Sequence, residues 1–340
     1  MDETTVYVRE QGAVVRKRGE RLVVTKEHDE LMDLPLIHVR QLAVVGNVQL
    51  TTQAVAALLQ NEVDVVFFSQ HFKFRGRLVG GGSKFAQLRH AQLQTMSDEA
   101  RTLDIARWVV NAKLTNQRVI TQRQASTYGS GTPPRALSDA VSGIGAMREG
   151  ADAAQSLDSL RGYEGKAGAY YFGALKALLD PGWGFQGRAY YPPPDPINSV
   201  LSLGYSLLLK DMVAAVQLVG LDPYLGFFHT IEYARPSLAL DVMEEFRPVL
   251  VDTLVLEMVK RRQLTPADFV RTGRTERPWE MSDRGVSTLL KGYEERLQTQ
   301  VRHPVTGDQV SYRRCLELQV RQIANLVLGK AERYVGVTMK

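Results

Sequence analysis

His229 precedes an apolar stretch that carries three carboxylates, Asp241, Glu244 and Glu245, in the run HTIEYARPSLALDVMEE. Leu238, Leu240, Val242, Met243, Phe246, Val249 and Leu250 place this helix against a core, where acids need a partner. A divalent cation is one such partner; solvent-facing charge is the plainer alternative. Asp241 and Glu244 are three residues apart, and Asp241 and Glu245 four, so either pair can share a helical face. Pro248 has no N–H for the carbonyl of Glu244 and should kink the helix there. Far upstream, Glu164 lies in RGYEGKAG. Glycine inside a helix costs about 1 kcal/mol relative to alanine. Gly165 and Gly168 would let a backbone or ligand approach closely, although the segment also reads as a helix with an exposed glutamate. One imidazole among carboxylates suits Mg²⁺ or Mn²⁺ better than structural zinc. Such an ion polarises phosphoryl oxygens and activates an attacking hydroxyl. No Ser-His-Asp order or nucleophile elbow is present, and Cys315 sits in a helical pattern that suits a buried structural role.

The elements that must position these groups divide into two parts. Residues 5–9, 12–18, 21–25, 37–45 and 64–69 read as short strands, interrupted by a helix at 52–60 capped by Thr51 or Thr52. Gly80-Gly81-Gly82-Ser83-Lys84 lacks the phosphate-loop spacing and reads as a hinge. Beyond it the periodicity is helical, over 85–97, 98–120, 138–143, 157–179, 199–219, 286–296 and 312–335. The proline run 192–196 is an extended crossing, Asn198 can cap the helix after it, and Pro236 is placed to open the helix that carries Asp241. The expected fold is α+β: a small β-rich N-terminal domain (1–79), a glycine-rich hinge (80–84) and a larger all-α-helical domain (85–335).

The 340 residues suffice for two cores, and 44% hydrophobic with 23% charged residues is ordinary for a globular chain. No uninterrupted apolar run suggests a membrane span, and the acidic start MDETTVYVRE lacks a signal-peptide core, so a cytoplasmic protein is expected. A lone cysteine excludes an internal disulfide and a multi-cysteine zinc site. Net charge is +5, with basic residues gathered at 101–124 and 260–277. These are solvated helix faces or a surface that tracks phosphates.

Three blocks resemble one family closely, that of CRISPR-associated protein one, the spacer-acquisition integrase. They are Tyr163-Glu164-Gly165 with Ala169-Tyr170-Tyr171-Phe172; Pro193-Pro194-Asp195-Pro196-Ile197-Asn198 with Leu201-Ser202 and Tyr205; and Gly220-Leu221-Asp222-Pro223, Gly226-Phe227-Phe228-His229 with the run from Ser237 to Pro248. The resemblance implies a metal-dependent DNA endonuclease that inserts short foreign fragments into a CRISPR array by transesterification. It implies Glu164, His229 and Glu244 as ligands of Mg²⁺ or Mn²⁺, with Asp241 supporting them and Glu245 a neighbour. It also implies a homodimer that joins a small ferredoxin-like partner in a heterohexamer, acting on double-stranded fragments and repeat DNA. Lys113, Arg118, Lys166, Arg235, Arg261 and Arg262 are the candidate DNA contacts. Members often carry arginines before the proline run, where this chain has Tyr190 and Tyr191, residues able to stack on unpaired bases. The rival expectations are a structure-selective nuclease without integration and a non-catalytic DNA scaffold.

Overall fold

The computed structural model describes residues 4–78, 85–129, 131–189 and 191–339; the expected hinge at 80–84 and Tyr190 lie outside them. The chain separates into two compact units, residues 1–84 and 85–340.

The first unit holds two four-stranded sheets and one helix. β1 (Thr4–Val8), β5 (Val39–Val45), β7 (Asp64–Phe68) and β8 (Phe74–Leu78) form one sheet, parallel except for β8. β4 (Asp29–Pro35), β3 (Arg21–Lys26), β2 (Val14–Arg18) and β6 (Gln49–Leu50) form the other. Central strands β3 and β5 are rich in buried Val and Leu, and with Ala54, Ala57 and Leu58 of α1 (Thr52–Gln60) they make the core. Thr51 caps α1, its hydroxyl accepting from the Ala54 N–H at 3.2 Å. β4 and β8 are edge strands that the sequence pattern did not reveal. β4 carries acids in place of a buried face, and Asp33 and Glu30 pair with Arg21 of the adjacent β3 and Arg18 at the end of β2.

The second unit is largely helical but not all-α, which corrects the expectation. Its helices are α2 (Ala86–Ser97), α3 (Glu99–Ser126), α4 (Arg135–Asp152), α5 (Leu157–Leu178), α6 (Pro196–Val219), α7 (Ser237–Met243), α8 (Thr253–Lys260), α9 (Asp283–Gln298) and α10 (Tyr312–Val327). Two hairpins interrupt them, β9 (Phe269–Arg274) with β10 (Arg277–Met281), and β11 (Gln300–Arg302) with β12 (Gln309–Ser311). The first falls in the arginine-rich region, where exposed charges masked the strand alternation, and it turns near Gly273 at φ +69°. α6 starts three residues earlier than expected: Asp195 is its cap, accepting from the Asn198 N–H at 2.8 Å, with Pro196 opening the first turn. It ends at Gly220 in the left-handed region at φ +101°. α6 is long and apolar enough to cross a membrane, yet 67% of its most apolar window is buried inside this unit, so here it serves as a core helix.

α4 and α5 pack closely at two glycines. A Cβ at Gly143 would stand 2.7 Å from the Tyr170 ring, and one at Gly150 would stand 2.3 Å from the Tyr163 ring. The helix is interrupted where the sequence predicts a kink. After α7 the backbone passes through a turn at Glu244 and Glu245 and a π-helical turn, Arg247–Asp252, with Pro248 inside it. The Thr253 hydroxyl donates to the Pro248 carbonyl at 2.8 Å.

Candidate active site

Asp241 organises the loop that carries His229. Its Oδ2 accepts from the N–H groups of Phe227 (2.6 Å) and Phe228 (3.0 Å), and its Oδ1 from the N–H of His229 (2.9 Å). The loop folds tightly over this carboxylate because Gly226 has no side chain: a Cβ there would meet Asp241 Oδ2 and the Ser237 backbone at 2.7 Å. His229 Nδ1 lies 2.7 Å from Asp241 Oδ1, so the ring donates from Nδ1 and directs Nε2 away from Asp241. Arg161 of α5 steadies the same loop, donating to the Phe228 carbonyl at 2.8 Å.

Glu244 is the hub, a carboxylate only 3% exposed. Its Oε1 lies 3.7 Å from His229 Nε2 and 3.4 Å from Arg247, and its Oε2 lies 2.5 Å from Lys113 Nζ. Lys113, on α3, also pairs with Glu164 on α5. One buried ammonium therefore joins the two carboxylates. Burial alone would raise the Glu244 carboxyl, but Arg247, then Lys113 and His229, hold it down at about 2. Burial would lower the Lys113 ammonium, but Glu244 and then Glu164 hold it above its ordinary 10.5. Both groups are charged at neutral pH. Among the described residues, no three His, Cys, Asp or Glu side chains stand close enough to share one ion.

A cavity of about 490 Å³ opens beside this cluster, lined by Lys113, Glu164, Gly165, Gly168, Arg188, Tyr205, Arg247 and Asp252, among others. A Cβ at Gly165 or Gly168 would touch nothing within 4 Å, so protein packing does not demand these glycines and they leave the cavity wall bare. Arg188 and Arg247 both lie over the Tyr205 ring, at 5.3 and 5.0 Å from its centroid. The Tyr205 hydroxyl donates to Asp252 at 2.6 Å. Asn198, fully buried, accepts from Arg188 at 2.8 Å and donates to the Gly187 carbonyl, which gives the proline-run motif its task of holding the arginine.

Arg188, Tyr205, Arg247 and Asp252 join the cavity lining without any local spacing in the sequence that marks them as site residues. The signal for Arg188 lay two residues before the tyrosines that stood where arginines were sought. Of the candidate DNA contacts, Lys113 is 8% exposed, pairs with two carboxylates and lies at the cavity wall. Lys166, Arg261 and Arg262 are exposed. Arg118 is half-buried, and Arg235 pairs with Glu232 at 2.7 Å. Tyr191 is 78% exposed.

A family model, CRISPR associated protein Cas1, matches residues 6–295. The chain belongs to the Cas1 family. It is 33% identical over 337 residues to the CRISPR-associated endonuclease Cas1 1 of Moorella thermoacetica, covering 97% of each. It is 35% identical over 335 residues to a CRISPR-associated exonuclease Cas4/endonuclease Cas1 fusion of Rhodospirillum rubrum, covering 97% of this chain and 56% of that protein. The fold is that of a solved CAS1 protein from Thermotoga maritima, with a TM-score of 0.79 over 99% of this chain and 100% of the other at 23% identity. Within this Cas1-family chain, Asp252 yields a pH test. Burial pushes its carboxyl up from 3.8 to about 6, against the hydrogen bond from Tyr205. The proton is therefore held more tightly in the folded state, and the associated stability, roughly 3 kcal/mol, is present below pH 3.8 and lost as pH rises through 6. Asp252→Asn should lack this decline. Urea unfolding at pH 4, 5, 6 and 7 checks it, and parallel slopes for both proteins would refute the assignment.

Proposed function

We propose that this chain is a metal-dependent DNA endonuclease and integrase that inserts short DNA fragments into a CRISPR array. What supports the reading is that Glu164 of α5 and Glu244 at the end of α7 share the buried Lys113 ammonium, while His229 Nε2 lies 3.7 Å from Glu244 Oε1. Glu244 Oε2 is buried and lies 2.5 Å from the Lys113 ammonium, a cation already occupying the side of the carboxylate that a metal ion would take. Two carboxylates with an imidazole Nε2 fit a hard divalent cation, Mg²⁺ or Mn²⁺, and these three residues would hold it. Bound there, the cation supplies Lewis-acid stabilisation of phosphoryl oxygens and makes an attacking hydroxyl more acidic.

The chain's own residues do the rest. Arg188 and Arg247 present two guanidinium groups to the cavity, where they neutralise a phosphodiester and the charge that builds on it during attack. Gly165 and Gly168 admit the sugar-phosphate backbone. In the reaction, the 3′-hydroxyl of the incoming strand forms a new P–O bond and the repeat strand's P–O bond breaks, releasing its own 3′-hydroxyl. Ester bonds are exchanged one for one, so reversal appears as cleavage. A homodimer assembled with a small ferredoxin-like partner, as a heterohexamer, would place two such sites on one double-stranded fragment. Exposed Lys166, Arg261 and Arg262 are suited to its backbone.

Glu164→Ala and His229→Ala should each lower joining of a 3′-hydroxyl fragment to repeat DNA by more than about a hundredfold, beyond the 10–100-fold expected of a group one step behind a ligand. Duplex affinity should be largely kept. Gel assays of joining with Mn²⁺, beside binding isotherms at fixed salt, decide the matter. Unchanged joining refutes the site. A wild type that cuts branched DNA and never joins it would identify a structure-selective nuclease.

A further inference from the structure

Beyond α10 the described residues, 328–339, are not helical, although the sequence pattern extends the helix to 335. Gly329 turns it at φ +68°, and the following residues return to α3 and the Glu244–Glu245 turn. There they meet Glu245, a carboxylate with no exposed surface that the proposed reaction does not use. The Tyr334 hydroxyl donates to Glu245 Oε1 at 2.6 Å, and the Val337 N–H to Oε2 at 2.9 Å. Gln319 of α10 donates to Oε1 at 2.8 Å. Its amide is oriented in turn by His303. The N–H groups of Val305 and Thr306 point at His303 Nδ1, so Nε2 carries the proton and donates to Gln319 Oε1 at 3.0 Å.

The main chain of Glu245 is held as well. Asn116, fully buried on α3, donates to the carbonyls of Glu245 and Val337, each at 2.8 Å, and accepts from the Met339 N–H at 2.8 Å. Asn116 lies three residues beyond Lys113, so one face of one helix grips Glu244 through the lysine and Glu245 through the asparagine. The segment lies close on this face: a Cβ at Gly336 would be 2.2 Å from that of Ala112 and 2.7 Å from Glu245 Oε2. Glu244 itself stands where α7 gives way to the π-helical turn and where Pro248 offers no N–H, so its own helix restrains it weakly. Its carboxylate is held by Lys113 and Arg247, and its backbone from outside, through its neighbour.

We infer that residues 334–339 form a strap that positions Glu244 for its cation, acting through Glu245, with Tyr334, Gln319 and Asn116 as positioning residues. This rests on the reading of Glu244 as a ligand. A fully buried carboxyl held by α3, α10 and the strap is a costly way to fill space, and it fits a device that sets direction.

The test uses the full chain with two substitutions, Tyr334→Phe and Glu245→Gln, the first mild enough to preserve folding. Mn²⁺ alone is titrated and followed by electron paramagnetic resonance of the free ion. Hydrogen exchange is measured at residues 244–247 and 335–339. Each variant should bind Mn²⁺ about tenfold more weakly, join DNA about tenfold more slowly, keep its duplex affinity and exchange faster in both segments. A lowered Tm with unchanged Mn²⁺ affinity would mean that the strap only stabilises the fold, and the inference would fall. If the wild type itself neither binds Mn²⁺ nor joins DNA, the functional reading fails. Hydrogen exchange then still judges the strap, since unchanged protection at 244–247 in both variants overturns it.

Discussion

Asp241→Ala should be the most damaging single substitution in the site. Four donors converge on that carboxylate, the N–H groups of Phe227, Phe228 and His229 and the His229 ring. Each buried donor left unmet costs about 1–3 kcal/mol, so a loss of roughly 4 kcal/mol or more is expected. Asp241→Asn separates stability from chemistry. It keeps the volume and one acceptor oxygen but turns an NH₂ toward groups that donate. The ring can then no longer be held with Nδ1 protonated and Nε2 directed at Glu244. Where an aspartate fixes a catalytic imidazole in this way, its asparagine variant has lost about 10⁴-fold in rate. Here a fall of roughly 10²–10⁴-fold in joining is expected, with duplex binding kept. Fragment joining at saturating Mn²⁺, beside thermal unfolding of both variants, measures the two effects. An Asp241→Asn protein that joins at the wild-type rate would remove Asp241 from the positioning role.

The two halves of this site differ in how far the residues announce them. Asp241 and Glu244 stood out because acids on a strongly apolar helix are anomalous, and Pro248 marked the break beside them. Gly165 and Gly168 stood out because glycine weakens a helix. Lys113 did not, since along the sequence it is one basic residue among several on a long helix. Only the crossing of α3 over α5 and α7 sets its ammonium between two carboxylates. Arg188, Tyr205 and Asp252 belong to three separate segments, and their meeting is a tertiary fact with no local spacing to betray it. The edge strand β4 and the hairpin β9–β10 were obscured for a related reason: their exposed charges erase the apolar alternation by which strands are read. Only the start of the strap falls in the helical pattern, since Tyr334 and Val335 continue it past Gly329, and a glycine at φ +68° ends the helix.

Lys113→Met tests whether a fixed ammonium and a metal ion compete for the same pair of carboxylates. In chelator the substitution leaves Glu164 and Glu244 facing each other without their shared counter-charge. Breaking a buried pair by removing one partner costs about 3–5 kcal/mol. At roughly 2–4 °C per kcal/mol for a unit of this size, Tm should fall by on the order of 10 °C. The acid side of the stability curve supplies the sign. Glu244 is held at about 2 against an ordinary 4.5, so its contribution, roughly 3 kcal/mol, is present above pH 4.5 and lost as pH falls through 2. The raised value of Lys113 describes the same pair from the other side and is not added to this. Because Arg247 and His229 depress Glu244 as well as Lys113, the variant should show a reduced acid loss and not its disappearance. Mn²⁺ should reverse the defect at neutral pH. At a hundred times its Kd, a ligand that binds only the folded state contributes about 2.7 kcal/mol. The variant should therefore gain more from Mn²⁺ than the wild type, where the ion must first displace the ammonium. Thermal unfolding of both proteins in chelator and in Mn²⁺ reads this difference. Equal gains, or a Lys113→Met protein as stable in chelator as the wild type, would show that the lysine is not standing in the place of the cation.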